Sequence, residues 1–221
     1  MSIDQLTALS AHASKAGLPL DILAGLTLLS IAPFLLVMTT SFMRIVIVLS
    51  LVRSAIGAAA LPPNAALTGL ALVLTFVIMT PTMQAISHDA LDPYSKGKIS
   101  EAVMLTRAFR PLQTFMLRQT HEKDIALFSH IAHVSPAEPS KIPPTVLIPA
   151  FAVGELRSAF AIGFALYLPF VAIDLAVASI LMGLGMFMLS PPIISLPCKL
   201  LLFVMVDGWA LICGGLAQSF R

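Results

Sequence analysis

The sequence has few charged residues. Only 11% of its 221 residues are Asp, Glu, Lys or Arg, whereas 58% are hydrophobic, and the mean hydropathy is +0.95. A typical soluble protein carries roughly 25% charged residues, and a soluble fold of this size could not cover its surface with so few. The same composition excludes intrinsic disorder. The sequence therefore predicts an integral membrane protein, or a protein that hides an apolar surface inside a large assembly.

Motifs of several enzyme and binding classes are also missing. The sequence has no phosphate-binding loop, no GxSxG and no GxGxxG, and its histidines have no HExxH or CxxC partner. We therefore expect no enzymatic activity, no cofactor and no metal site. A net charge of +2 without a basic stripe is too small for a nucleic-acid-binding protein, so no nucleic acid is expected as a partner.

Cysteines and early basic residues are scarce as well. The two cysteines, Cys198 and Cys213, lie in apolar sequence. We expect them to be small buried side chains rather than a disulfide framework or a metal site. No basic residue precedes Lys15, so the start lacks the basic region of a secretory signal. Either targeting depends on the first apolar segment, or a preceding segment has been removed.

The charges that are present concentrate in one stretch. Of the 24 Asp, Glu, Lys and Arg residues, 13 lie between His88 and Lys141, with four of the five histidines. Apolar segments flank this stretch on both sides. We predict an N-terminal segment at 1–21, a first apolar helical pair at 22–87, a polar helical subdomain at 88–144 and a second apolar helical pair at 145–221.

Prolines interrupt the apolar segments. Pro33, Pro81 and Pro169 lie inside apolar runs, and Pro111 lies inside the polar stretch. Because proline removes a backbone donor and clashes with the preceding turn, breaks are expected there. The pattern predicts an all-α fold in which proline-kinked apolar hairpins, rather than four straight spans, flank the polar helical subdomain.

Isolated charges in the apolar segments need partners, because an unpaired charge in such surroundings is costly. Glu155 and Arg157 are two residues apart and cannot pair on one helix. Glu155 with Lys199 is a plausible match between segments or between subunits. A proton path that uses Asp174 and Asp207 is the alternative to structural pairing. The isolated charges are Arg44, Arg53, Glu155, Arg157, Asp174, Lys199 and Asp207.

The stretch 183–197, GLGMFMLSPPIISLP, is the most informative one. It has no charge, two early glycines and three prolines, so an apolar helix should end there and the chain should turn irregularly. Irregular backbone cannot face lipid, so this turn must face protein or a water-filled cavity. Met186, Phe187 and Met188 lie at its tip. In a ring or helical oligomer, several copies would form a deformable collar that holds back water and ions; ordinary core filling is the alternative.

Two long stretches carry a resemblance to a known family: TTSFMRIVIVLSLVRSAIGAAALPPNAALTGLALVLTFVIMTPTMQAI (Thr39–Ile86) and PAFAVGELRSAFAIGFALYLPFVAIDLAVASILMGLGMFMLSPPIISLPCKLLLFVMVDGW (Pro149–Trp209). These stretches resemble the FliP family of flagellar type III export gate subunits. RPLQTFMLRQTHEKDIALF (Arg110–Phe128) resembles the flagellar members more than the injectisome R subunit, a close relative. The resemblance covers about residues 22–221.

This resemblance implies a function and partners. Such subunits form a pentamer that, with FliQ-like and FliR-like subunits, builds an all-α channel in the flagellar basal body of the bacterial inner membrane. Their polar subdomain is expected to face the periplasm. FlhB-like and FlhA-like export proteins, membrane lipid and unfolded flagellar cargo are the further partners implied. The expected function is that of the pore-forming core subunit of the flagellar export gate. An injectisome R subunit and a small proton-coupled transporter are the alternatives.

The resemblance also assigns roles to individual residues. The methionine-rich loop that closes the family's pore corresponds to Met186, Phe187 and Met188, and a charge pair between neighbouring subunits corresponds to Glu155 and Lys199. Two positions depart from the family pattern. Phe187 replaces the middle methionine of the loop, and Cys198 stands where phenylalanine is usual.

Overall fold

The computed structural model describes residue 30 and residues 33–58, 62–134 and 142–220. The described part of the chain contains helices and turns and no strand, so the predicted all-α class is confirmed. The chain divides into two compact units, 1–37 and 38–221. The fold and the site below belong to the second unit.

Eight α-helices and one π-helical turn make up the described part of this second unit. Long apolar helices lie on both sides of shorter polar ones along the chain. The helices are α1 (Phe42–Ile56), α2 (Asn64–Ile86), the π-helical turn (Ser87–Leu91), α3 (Asp92–Ser95), α4 (Glu101–Gln119), α5 (Glu122–Ile131), α6 (Pro144–Gly183), α7 (Pro191–Met205) and α8 (Gly208–Gln218).

Two helical stretches are long and apolar enough to cross a membrane. They are Asn64–Ser95, which has 32 residues, and Pro144–Gly183, which has 40. Two pairs of shorter helices, Pro33–Thr39 with α1 and α7 with α8, would raise the number of spans to four if each pair is one interrupted span. A span needs about 20 apolar residues, so the predicted apolar segments on both sides of the polar subdomain have the required length.

Helix α1 is the centre of the apolar core. Ile45, Val48, Leu49 and Val52 are completely buried, and their spacing places them on one stripe of the helix. Helix α1 also packs closely on α6, where Gly163 leaves no room for a side chain, because a Cβ there would overlap Leu51. A small residue at such a crossing lets two helices approach closely.

A second cluster joins the polar subdomain to the start of α6. Met116 of α4 is completely buried against Val146, Leu147 and Phe151. The ring of Phe115 meets that of Phe151 edge to face, with centroids 5.9 Å apart. Aromatic rings prefer this offset geometry to a face-to-face stack. The polar subdomain is therefore packed on α6 rather than tethered to it.

The predicted breaks at Pro81, Pro111 and Pro169 are wrong. Helix α2 continues through Pro81, α4 through Pro111, and α6 through Pro149 and Pro169. A proline inside a helix removes one hydrogen bond and costs about 3 kcal/mol. A long helix can bear this loss when its neighbours hold both halves in place. Breaks between described helices include those at 40–41, 96–100, 120–121, 184–190 and 206–207, none of which contains a proline.

Cys198 is exposed and Cys213 is half-buried, so the expectation that both are buried is wrong for Cys198 within one chain. Cys198 lies on α7, whose outer face also leaves Ile193, Leu201 and Val204 more than 60% exposed. The apolar sequence around Cys198 did not imply that its side chain is buried, because much of the surface of α7 is exposed in a single chain.

Candidate functional site

The turn at 184–190 ends α6 in a defined geometry. The Met186 N–H donates to the Leu181 carbonyl at 2.9 Å, and the Gly185 N–H donates to the Met182 carbonyl at 3.1 Å. Gly185 has a φ of +75°, a left-handed conformation that favours glycine. This pair of bonds is the Schellman motif that ends many helices. Helix α7 then begins with Pro191 and Pro192, which are tolerated in a first turn. The irregular stretch is therefore shorter than the predicted loop 183–197.

The tip of this turn is apolar and exposed. Met186 is 46% exposed, Phe187 79% and Met188 fully exposed. Contiguous apolar surface of this kind marks a site that another surface covers. The structure places these three side chains outside the core of the chain, which speaks against the core-filling alternative.

A small polar network joins the two helices beside the turn. Lys199 of α7 donates from Nζ to Asp174 Oδ2 of α6 at 2.6 Å, and Ser195 Oγ donates to Asp174 Oδ1 at 2.5 Å. Lys199 Nζ also donates to the Ala55 carbonyl at the end of α1, at 3.2 Å. Asp174 lies nine residues before Gly183, about 14 Å along the helix. The network therefore fixes α7 against α6 at a distance from the tip and leaves the tip free.

A buried ion pair links α1 to α6. Arg44 donates from Nε to Glu155 Oε2 at 2.8 Å and from Nη2 to Glu155 Oε1 at 2.5 Å. The side chains are only 5% and 0% exposed. Two parallel bonds between a guanidinium and a carboxylate give both strength and a fixed orientation. This pair sets how α1 and α6 face each other.

Arg44 also holds the C-terminal residues. Its Nη1 donates to the Ser219 carbonyl at 2.9 Å, and its guanidinium stacks on the Phe220 ring at 3.9 Å from the centroid. Nη2 donates to Gln119 Oε1 of α4 at 3.3 Å. A cation over an aromatic ring adds attraction in a desolvated site. One buried arginine thus connects α1, α4, α6 and the end of the chain.

A third ion pair fixes α5 to α6. Arg157 donates from Nη1 and Nη2 to the two carboxylate oxygens of Asp124, at 2.6 and 2.7 Å. Asp124 is buried, whereas the Arg157 side chain is 42% exposed. The hydrogen bond from Arg157 holds the pKa of the Asp124 carboxyl below its usual range.

The remaining two isolated charges are less enclosed. Arg53 donates from Nη1 to Asn64 Oδ1 at 2.5 Å and so bridges the connection from α1 to α2. Asp207 is exposed at the corner between α7 and α8, with a φ of +49°, and its side chain makes no capping hydrogen bond to α8. Among the described residues, no group of three His, Cys, Asp or Glu side chains could hold a metal ion.

Within one chain the structure does not bring Glu155 and Lys199 together. Glu155 binds Arg44, and Lys199 binds Asp174. Their pairing between subunits stays a prediction, and it needs a local rearrangement because both side chains are buried. The expectation that opposite charges meet between segments is met by these two pairs. Asp124 was missed as a partner because it lies in the polar stretch, where a charge is typically solvated.

Comparison with known proteins decides the family. The model of the FliP family matches residues 25–216 of this chain. The chain belongs to the FliP family. It is 51% identical over 196 residues to the flagellar biosynthetic protein FliP of Bacillus subtilis (strain 168), covering 88% of this chain and 89% of that one. It is 50% identical over 204 residues to FliP of Pectobacterium carotovorum subsp. carotovorum, covering 92% and 79%. It is 45% identical over 203 residues to FliP of Aquifex aeolicus (strain VF5), covering 90% and 85%.

Removing Glu155 from this FliP-family chain should leave a buried arginine without its counter-charge. We expect Glu155→Ala to lower the free energy of unfolding by about 3–5 kcal/mol. Arg53→Gln is the control and should cost about 1 kcal/mol, because Arg53 is only half-buried and bonds a neutral group. Thermal unfolding of the detergent-purified chain, followed by circular dichroism, measures both. Equal losses in the two variants would contradict the role of the Arg44–Glu155 pair.

The Asp124–Arg157 pair predicts a loss of stability in acid. A carboxyl with a lowered folded pKa stabilises the fold above its unfolded pKa of about 3.9, and this contribution disappears as the pH falls through the folded pKa. Asp124→Asn should therefore unfold at a lower temperature than the wild type at pH 7, and the difference should shrink below about pH 4. Exposed Asp92, changed to Asn, is the control. A difference that stays constant from pH 7 to pH 3 would refute the assignment.

Proposed function

We propose that this chain is a non-enzymatic, pore-forming core subunit of the flagellar type III protein export gate. It would conduct unfolded flagellar subunits across the bacterial inner membrane during flagellum assembly. Support comes from the family, whose relatives are named flagellar biosynthetic proteins. The apolar helices with the length of membrane spans agree with this role.

The exposed turn at Met186, Phe187 and Met188 is the observation that carries the pore proposal. A turn of large apolar side chains has no use on a lone soluble chain, and it ends in a fixed geometry. Repeated around the axis of a pentamer, it would form a hydrophobic constriction that excludes water and ions but yields to a threaded chain. Methionine adapts its shape to a moving polypeptide. Phe187 is a stiffer residue in the middle of this constriction.

The partners follow from the same proposal. FliQ-like and FliR-like subunits would complete the channel, and FlhB-like and FlhA-like proteins would deliver cargo to it. The extensive exposed apolar surface of α2, α6 and α7 offers area for such neighbours and for lipid. The injectisome alternative is less favoured, because the relatives described above are flagellar proteins. The transporter alternative is less favoured, because Asp174 is engaged with Lys199 and Ser195.

Truncating the turn tests the pore closure. We expect Met186→Ala, Phe187→Ala and Met188→Ala together to make cells leak ions and small dyes, because the constriction loses its bulk. Leu72→Ala, Val73→Ala and Phe76→Ala on the exposed face of α2 form the matched control and should not leak. The mass and subunit ratio of the detergent-extracted complex report assembly in both cases. An assembled triple variant of the turn with normal permeability would refute the closure.

Charge exchange separates the two possible partners of Lys199. Asp174→Lys alone should impair assembly of the complex, because it places two cations together between α6 and α7. Combining it with Lys199→Asp should restore much of the assembly. The combination of Glu155→Lys with Lys199→Glu tests the predicted pair between subunits. Recovery in this second combination but not in the first would show that the inter-subunit pair, and not the pair within the chain, is the one that matters.

A further inference from the structure

Helix α8 is weakly held along its length. Of its 11 residues, only Gly208, Ile212 and Leu216 are buried, in one stripe with a spacing of four. Gly214 and Gly215 lie in its middle, and a Cβ at either position would meet no other group within 4 Å. Glycine is the poorest helix former after proline, and isolated helices of this length are marginal. Contacts at the two ends of α8 must therefore contribute much of what keeps it on the core.

The first end of α8 is a pivot fixed by aromatic packing. Asp207, just before the helix, has a φ of +49°, in the left-handed region that residues with a side chain enter at a cost. The Phe203 ring lies so close to Gly208 that a Cβ there would overlap it. The Trp209 ring meets that of Phe203 edge to face, with centroids 5.2 Å apart. These contacts hold α7 and α8 at a bend of 63°.

The other end of α8 is fastened by Arg44 of α1. Its Nη1 donates to the Ser219 carbonyl at 2.9 Å and to Ser219 Oγ at 3.1 Å, and Ser219 Oγ donates to the Leu216 carbonyl at 2.8 Å. Gln119 Nε2 donates to the Phe220 carbonyl at 3.3 Å. The last carbonyls of a helix lack intrahelical partners and carry partial negative charge. Because the last turn of α8 has no basic residue, Arg44 supplies the cation that favours this helix end.

The ring of Phe220 completes the fastening. The guanidinium carbon of Arg44 lies 3.9 Å from its centroid, and the Phe115 ring stacks on it with centroids 6.2 Å apart. A cation and an aromatic ring attract each other most strongly where water is excluded, and Arg44 is only 4% exposed. Ring and guanidinium thus hold residues 219–220 in one place.

This fastening and the buried ion pair share one guanidinium. Arginine has five N–H donors. Those of Nε and Nη2 bind Glu155 and Gln119, whereas Nη1 binds Ser219. When Ser219 leaves, Arg44 keeps its counter-charge but loses the partners of Nη1, and an unsatisfied buried donor is costly. Conversely, the end of α8 finds its cation only where Glu155 has oriented Arg44. Closure of α8 and pairing of α1 with α6 therefore favour each other.

We propose that α8 is a strap, a helix that opens at its pivot while the rest of the fold stays intact and closes when Ser219 and Phe220 dock on Arg44. Closed, the strap covers the core that Ile212 and Leu216 share with α1, and it fixes the end of α7 opposite the turn at 184–190. Open, it uncovers that core and leaves this end of α7 free. Proteins open first where few buried contacts hold an element, as in the middle of α8.

Hydrogen exchange of the chain in nonionic detergent, resolved by mass spectrometry of its peptides, tests the strap. Wild-type amides at 212–218 should exchange faster than those at 45–52 of α1, because α8 opens alone. Phe220→Ala should speed exchange in α8 about tenfold or more, and in α1 less than about twofold. Phe220→Leu keeps bulk but removes the ring, so its exchange should lie in between. Tyr94→Ala removes an exposed aromatic side chain elsewhere and is the control that should leave α8 unchanged.

A second variant acts in the opposite direction. Gly214→Ala with Gly215→Ala should slow exchange in α8 about tenfold, because alanine raises helix propensity at two positions that have room for a methyl group. Added to Phe220→Ala, the same two changes should restore much of the lost protection. Both effects should be confined to α8.

Several results would overturn the strap. Equal acceleration throughout the chain in Phe220→Ala would mean that the ring supports the whole fold, and unchanged α8 would mean that Arg44 does not hold it. Wild-type α8 that exchanges as slowly as α1 would refute separate opening. Where Phe220→Ala does not fold, Phe220→Leu and the double glycine variant provide the same comparison in a folded chain. No readout depends on export, so the strap can fail while the proposed function stands.

Discussion

Burying charge in an apolar chain is the constraint on which the rest of the structure depends. Arg44 and Glu155 are removed from water almost completely, and each is tolerated only because the other is there. The partners lie 111 residues apart, so the pair forms only when α1 and α6 have packed. Once formed, it dictates their orientation more sharply than apolar contacts do, because two parallel hydrogen bonds allow one geometry whereas hydrophobic contact allows many.

The other ion pairs extend this arrangement to the two ends of the molecule. Asp124 with Arg157 fixes the polar subdomain to α6, and Asp174 with Lys199 fixes α7 to α6. All three pairs therefore meet on one helix of 40 residues. This explains how α6 can carry Pro169 without breaking, because charged contacts at 155, 157 and 174 hold the helix on either side of it. The turn at 184–190 therefore follows a helix that is held firmly in place.

Many apolar side chains, unlike the buried charges, lie exposed on the surface of the chain. Side chains at the tip of the turn and along α2, α6 and α7 remain exposed in one chain, although similar side chains fill the core around α1. The difference lies in what they can contact. Core residues find partners within the chain, whereas in the proposed gate these faces would be covered by lipid, by a neighbouring subunit or, at the tip, by other copies of the same turn.

The amino-acid sequence by itself determined the features that depend on local physics. Low charge and long apolar runs predicted helices of membrane-span length, and Gly185 followed by Pro191 and Pro192 predicted where α6 ends and where the chain turns. It also required that buried charges such as Glu155 and Lys199 find partners. Which partners they found was decided by the tertiary structure alone, because residues far apart in sequence become neighbours only through packing. The same reason explains Pro111 inside an unbroken α4, Cys198 on an exposed face, and the contact of Ser219 and Phe220 with Arg44.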